Sequence, residues 1–490
     1  MSPKVLVMYR GAVSSLDSIT KFWERAQRRD APRVLRTGPL ADAYARFLNL
    51  SQIGTFKKLR DSRHKKKPVT TEDDESPAEG DAINRSNTTD RSHTVDAAAD
   101  GSSLLDLLAS SRANLATDLR DKVYGLLGLA HPNDPIAKLI KPDYSSENTT
   151  AKVYIQVAEA YINQGFGVDI LQHAGIHRKI NGLPSWTPDF SHQSRSTFIT
   201  GLYNCIPSST PSISLGPAPG KLKVRGAIID LVKFVSLAWQ YYSHDSSQHP
   251  FAAYLDVPDG YGLPRLTDEE GRQVIHAVGT RVAVNHFSED LHPEGFESVF
   301  SRTMTADCTW RRQRTGSNPT LVEAYRAFWS LYEPQDNPPE GVSGEEWAKQ
   351  YRYGGPFLGW LRPFDKAELE RLRKLSWPYE SAMQAVQKGR RFCITECGYM
   401  CTATHDTEKE DCVAVFEGFP MPFVLRRCEN GEDYEVVGNC YVHGIMDGEL
   451  ICAADGLELE DDQVSLDATG MKYALKAQAG YARFQDFWLV

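Results

Sequence analysis

The chain has 490 residues, more than a single core of ~100 to 200 residues accommodates, so several folding units are expected. Its 41% hydrophobic, 24% charged and 10% aromatic content excludes a fibrous or wholly disordered class, and nowhere do the ~18 consecutive apolar residues of a membrane-spanning helix occur. With 55 Lys and Arg against 64 Asp and Glu the net charge is −9, so nucleic acid binding would need a local basic patch.

The opening Met1 to Arg10 reaches a charge before any signal-peptide apolar region forms, and the nine cysteines are an odd number. Both features point to a cytoplasmic or nuclear chain with reduced thiols. From Lys57 the chain is basic, then acidic from Glu72 to Glu75, then rich in Ser, Thr, Asn and Ala, and 57 to 102 is expected to be a disordered insertion.

Leu104, Leu105, Leu107 and Leu108 predict a short amphipathic helix, and Asp118 with Asp121 has the spacing of an N-cap with an acidic partner one turn in. A further helix is expected from Thr149 to Asn163, with Val153, Tyr154, Val157 and Tyr161 inward and Gly165 as its stop. Leu183 to Phe190 is extended by its two prolines, Leu222 to Gly226 alternates as a strand, and Ile228 to Trp239 continues as strand or helix. Helical periodicity prevails over 265 to 330 and 366 to 388, on either side of a Pro- and Gly-rich connection at 334 to 356.

Short alternating runs at 391–396, 399–403, 412–417, 422–427 and 434–442 then predict five antiparallel strands in a small barrel or curled sheet. The acidic stretch after Gly448 ends in Phe484, Phe487 and Trp488. The fold class expected is α+β: a mostly helical central region with mixed strands, followed by a small antiparallel β-barrel-like C-terminal unit.

Phosphate loops, dinucleotide fingerprints, H-E-x-x-H and nucleophile elbows are missing, so no common enzyme signature and no cofactor are read from the chain. Cys393, Cys397, Cys401 and His405 recur every four residues and on a helix would line up as a zinc set, whereas in strands they would scatter as small buried thiols. His173 and His177 have the same spacing, with Gly175 between them to weaken a helix. His443, Asp447 and Glu449 could supply acid, base and hydrogen-bond groups in one loop, although Gly444 and Gly448 also mark a turn that such residues cap.

Several motifs in one order resemble the fungal heterokaryon incompatibility (HET domain) family. They are Asp118 to Ala130 followed by Ile140 to Ser145, Leu183-Pro184-Ser185-Trp186-Thr187-Pro188-Asp189, Phe300 to Asp307, and the closing block through Cys440-Tyr441-Val442-His443-Gly444 to Glu449. The sequence departs from the family at Leu119, where Pro is usual, at Glu410, where the family tends to have Gly, and at Cys401, which replaces a glycine read as part of the turn before it. The family's N-terminal core, distantly similar to TIR domains, is not recognised here, and Met1 is expected to lie downstream of it.

Five segments are thus expected: a remnant following that core at 1–56, the insertion at 57–102, a helical and mixed region at 103–388, an all-β unit at 389–452 and an acidic end at 453–490. The resemblance implies a role in non-self recognition and cell-death signalling through protein partners, here as a non-catalytic interaction or regulatory chain. The alternative it leaves is a part of a longer NAD-cleaving effector. Arg120, Asp121, Trp186, Asp189, His443, Asp447 and Glu449 are the motif positions to follow.

Overall fold

The computed structural model describes residues 6–9, 12–15, 103–191, 202–206, 210–236, 291–309, 313–315, 319–332, 366–387 and 389–490. The expected insertion at 57–102, the 334–356 connection and residues 265–290 of the expected helical stretch lie outside them. The chain divides into two units, Met1–Asp143 and Tyr144–Val490.

In the first unit, β1 (Leu6–Tyr9) and β2 (Ala12–Ser15) pair antiparallel from Leu6↔Ser15 to Tyr9↔Ala12. Helix α1 (Leu104–Ser111) is capped by the Ser103 hydroxyl, which accepts from Asp106 N, and it buries Leu104, Leu107 and Leu108 as the leucine spacing predicts. Helix α2 (Asp121–Leu127) corrects the expected cap. Asp118 accepts instead from the backbone N and the guanidinium of Arg120, the residue before the helix, so it closes a turn rather than satisfying first-turn donors. Buried Lys122 of α2 donates through Nζ to the carbonyls of Ser111, Arg112 and Asn114, which fills acceptors left open where α1 ends. Asp134 caps α3 (Pro135–Leu139) and also accepts from Leu104 N at 2.8 Å, tying α3 to the start of α1.

The second unit begins with α4 (Thr150–Asn163), which buries Val153, Tyr154, Val157 and Tyr161 and ends before Gly165 at φ 82, close to the expected element. Helix α5 (Gly167–Leu171) follows. Next come β3 (Ile213–Leu215) and β4 (Leu222–Val235), so Ile228 continues as strand, not helix. Among the described residues, three helices separate these from the remaining strands: α6 (Phe296–Met304), α7 (Pro319–Tyr332) and α8 (Lys366–Gln387). The strands β5 (Arg390–Thr395), β6 (Met400–Thr404), β7 (Cys412–Phe416), β8 (Phe423–Arg427), β9 (Asp433–Asn439) and β10 (Tyr441–Val442) follow the five expected runs closely.

The sheet takes in more than those runs. Its order is β10-β6-β5-β4-β15-β9-β8-β7, where β15 (Phe484–Leu489) is the aromatic segment at the end of the chain. β4 also pairs with β7, so the hydrogen-bonded path through β15, β9, β8 and β7 returns to β4 and the sheet curls. Bulges at Ile228/Asp230 and Val232/Phe234 let this long strand change partners, because an extra residue bends the strand and raises its twist. Gly226 is required where β4 and β7 cross closely: a Cβ there would meet Val415 O at 2.2 Å and Phe416 Cδ1 at 2.7 Å.

Apolar residues of β4, β5, β7, β8 and β9 fill one core, among them Val232, Cys393, Val413, Val424 and Val437. A second core forms where Phe300 of α6, Tyr325 and Phe328 of α7, and Tyr379 and Met383 of α8 meet Phe392, Ile394 and Met400 of β5 and β6. A small sheet closes the chain, with β13 (Lys472–Ala477) flanked by β11 (Ile451–Ala453), β12 (Ser465–Leu466) and β14 (Gly480–Tyr481). Among the described residues no helix is long and apolar enough to cross a membrane.

Candidate functional site

Two segments far apart in sequence meet at His443. β10 carries Tyr441 and leads into His443, and the connection into α6 delivers His292 and Glu294. His443 Nε2 lies 2.5 Å from Glu294 Oε1, its Nδ1 lies 3.2 Å from the Tyr441 hydroxyl, and the His292 ring is 5.4 Å away between centroids. His292 and His443 are 1% and 2% exposed, so the two imidazoles sit side by side away from water.

This placement shapes the charge states. The hydrogen bond from His443 holds the Glu294 carboxyl down at about 2, against the opposing effect of burial. Burial first, and the neighbouring His443 second, lower His292 to about 4, so His292 is neutral at pH 7. Burial pushes the Tyr441 hydroxyl well above its ordinary value, which keeps it a neutral hydrogen-bonding group beside His443.

Beside this triad lies a network centred on Asp307, which is fully buried. Arg302 Nε donates to its Oδ1 at 2.9 Å, Arg314 Nε donates to its Oδ2 at 2.9 Å, and the Thr315 hydroxyl also donates to Oδ1. Arg314 continues outward with a two-pronged bond to Asp447, Nη1 to Oδ1 at 2.8 Å and Nη2 to Oδ2 at 2.6 Å, and its guanidinium lies over the Tyr203 ring. Burial acts to lower both arginines, but their bonds to Asp307 and Asp447 outweigh it and raise them above their ordinary values. Ala306 and Asp307 both adopt left-handed backbone, with φ 46 and φ 51, which turns the chain after α6 so that the Asp307 carboxylate meets both guanidiniums.

Of the motif positions followed from the sequence, His443 and Asp447 enter this assembly, and Glu449 supports it by accepting from Asp447 N at 2.6 Å. Trp186 and Asp189 lie in another part of the unit. Trp186 is fully buried and donates from Nε1 to Gly220 O at 2.8 Å, while Asp189 accepts from the backbone N of Lys179 and Ser191. Just before Trp186 in the motif, the Ser185 hydroxyl accepts from Val436 N at 2.8 Å and donates to the Val490 carbonyl, so this segment ties β9 to the chain's end. Arg120 pairs with Asp118 and Asp121 opens α2, both in the first unit.

The four-residue Cys spacing does not fall on a helix. Cys393 and Cys401 face each other across β5 and β6, with Cys401 Sγ 3.4 Å from Cys393 O, and Cys401 therefore stands in a strand rather than in the turn before it. Cys397 follows β5, where its backbone N donates to Asp230, and His405 meets Asp406 and His177. Thus His177 approaches His405 across the fold, with ring centroids 5.3 Å apart. Among the described residues, two groups bring three potential metal-binding atoms within 4.8 Å of one another: His292 with Glu294 and His443, and His177 with His405 and Asp406. Neither contains a cysteine.

His292, Glu294, Asp307 and Arg314 are the site residues that reading the sequence missed as candidates. The His292-Pro293-Glu294 spacing was the available signal, but it acquires meaning only beside His443, 149 residues away from Glu294.

Comparison with known proteins is consistent with this fold. Residues 364–459, from just before α8 through the small sheet's first strand, match the Het-6 beta-barrel domain. The chain is 26% identical over 409 residues to heterokaryon incompatibility protein 6, OR allele, of Neurospora crassa, across 73% of this chain and 52% of that protein. It therefore spans about half the length of the curated relative it matches. No solved structure matches. The ordered sequence motifs, the match to the Het-6 beta-barrel domain and the long alignment together support the reading of this chain as similar to the fungal heterokaryon incompatibility proteins.

Proposed function

We propose that the chain serves in fungal non-self recognition as an interaction or regulatory component that leads to cell-death signalling without cleaving a nucleotide itself. The observation that carries this reading is the 409-residue likeness to a heterokaryon incompatibility protein of Neurospora crassa. The chemistry around His443 supports a recognition role. Arg302, Asp307, Arg314 and Asp447 are linked in that order in a continuous ion-pair chain, an arrangement that holds α6, the 313–315 segment and the turn after β10 in fixed relation. Such a network gives a rigid surface on which specificity can be built, whereas a nucleophile would need a poised base beside it.

The expected partner is another protein, and no cofactor is assigned. Two measurements test the reading. Deleting the gene in one of two incompatible strains is expected to change which tester strains form stable heterokaryons; unchanged compatibility with every tester would remove the non-self role. Expressing the chain in hyphae is expected to leave the NAD pool intact, and rapid NAD loss with death would overturn the non-catalytic part.

A further inference from the structure

We propose that His292, Glu294 and His443 form a binding site for a zinc-class divalent ion, which fastens the connection leading into α6 onto the end of β10. Two imidazole nitrogens and one carboxylate oxygen are a donor set that zinc accepts, with the remaining position open to water or to a ligand from another molecule. The three donor atoms lie within 4.8 Å of one another.

Several features go beyond proximity. Each imidazole is oriented from outside the triad: the Tyr441 hydroxyl meets Nδ1 of His443 at 3.2 Å, which leaves Nε2 toward Glu294, and His292 bonds the backbone of Gly398. Outer bonds of this kind set the tautomer and direction of a metal-binding histidine. The imidazoles are buried while the Glu294 side chain is 35% exposed, so an ion has a dry seat and a way in from solvent. His443 Nε2 and Glu294 Oε1 stand 2.5 Å apart, and parting them by roughly 1 Å places both at the ~2.1 Å bonding distance of a tetrahedral ion.

Two positive features oppose the ion. Arg302 Nη1 is 4.0 Å from Glu294 Oε1, and Glu294 stands just before the start of α6, where backbone N–H groups carry partial positive charge. Arg302 is engaged with Asp307 through Nε at 2.9 Å, which offsets much of its charge. The second triad, His177, His405 and Asp406, is more exposed at His177 and serves as the internal control.

The experiment uses the full chain, stripped with a chelator and titrated with cobalt(II), read by the visible ligand-field absorption, and with zinc, read by the thermal transition. The expected result is about one equivalent of cobalt giving a low-symmetry absorption band that zinc abolishes, together with a higher transition temperature in zinc. The band and the shift should be lost in Glu294→Gln and in His292→Asn and retained in His405→Ala. Glu294→Gln keeps side-chain size at a partly exposed position, and circular dichroism checks that each variant is folded. A wild-type chain with neither band nor shift overturns the proposal. Binding that survives in both Glu294→Gln and His292→Asn, or that disappears in His405→Ala alone, overturns it equally.

Discussion

Asp307 illustrates how one carboxylate can organise a site. It is fully buried and receives bonds from two arginines whose side chains are 20% and 23% exposed, so removing its charge takes Arg302's nearest carboxylate and leaves Arg314 with Asp447 alone. Breaking a buried ion pair by deleting one partner costs ~3 to 5 kcal/mol, and the partial exposure of the arginines places Asp307→Asn near the lower end, about 3 kcal/mol. Urea unfolding of the variant measures this, and a loss under ~1 kcal/mol would show that the arginines find water instead. Glu410 poses the opposite case. It stands where the family resemblance leads to an expectation of glycine, and its backbone is left-handed at φ 70. That conformation costs a non-glycine residue ~1 to 2 kcal/mol, while glycine costs ~0.5 to 1 kcal/mol in added chain entropy. Glu410→Gly is therefore expected to raise stability by about 0.5 to 1 kcal/mol, read as a higher unfolding midpoint. Here the resemblance identified the position, and the backbone angle supplies the reason that glycine suits it.

At the scale of elements, β4 is decisive because it contacts β3, β5, β7 and β15 along its 14 residues. Gly226→Val would drive a branched side chain into Val415 O and Phe416, with backbone rather than a flexible tip as the obstacle. Overpacking costs ~1 to 3 kcal/mol, and separation of β4 from β7 adds to it, so a loss of at least about 2 kcal/mol is expected in chemical denaturation. The strand character of β5 and β6 explains the cysteines as well. Cys393, Cys401 and Cys440 are buried, and burial raises the Cys440 thiol well above its ordinary value, with Arg390 only partly opposing it. A thiol reagent on the native chain should consequently react first at half-buried Cys397, Cys428 and Cys452, with the buried thiols reacting only after unfolding. Mapping the labelled peptides by mass spectrometry checks the order, and early labelling of Cys393 or Cys440 would contradict the packing described.

On the scale of the whole molecule, the final strand belongs to the sheet as fully as its neighbours do. β15 pairs antiparallel with β4 from Phe484↔Ala227 to Leu489↔Leu222 and parallel with β9, and Phe484, Phe487 and Leu489 are buried. Burial of three such side chains contributes ~5 to 9 kcal/mol, comparable with the ~5 to 15 kcal/mol that separates folded from unfolded domains. A chain ending at Arg483 is expected to lose its cooperative thermal transition, whereas a sharp transition near that of the full chain would show that β4 and β9 close without it. The sequence by itself determined the local elements: α4 from its apolar spacing and glycine stop, and β5 to β9 from short alternating runs between turns, since both signals lie within a few residues of one another. It also carried the ordered motifs that resemble those of the heterokaryon incompatibility proteins. Tertiary structure alone decided that β4 joins four strands, that β15 closes against it, and that His292 and Glu294 meet His443. Those contacts join segments separated by long stretches of chain, and their free energy comes from side chains that become neighbours only when the sheet curls, so no local pattern encodes them.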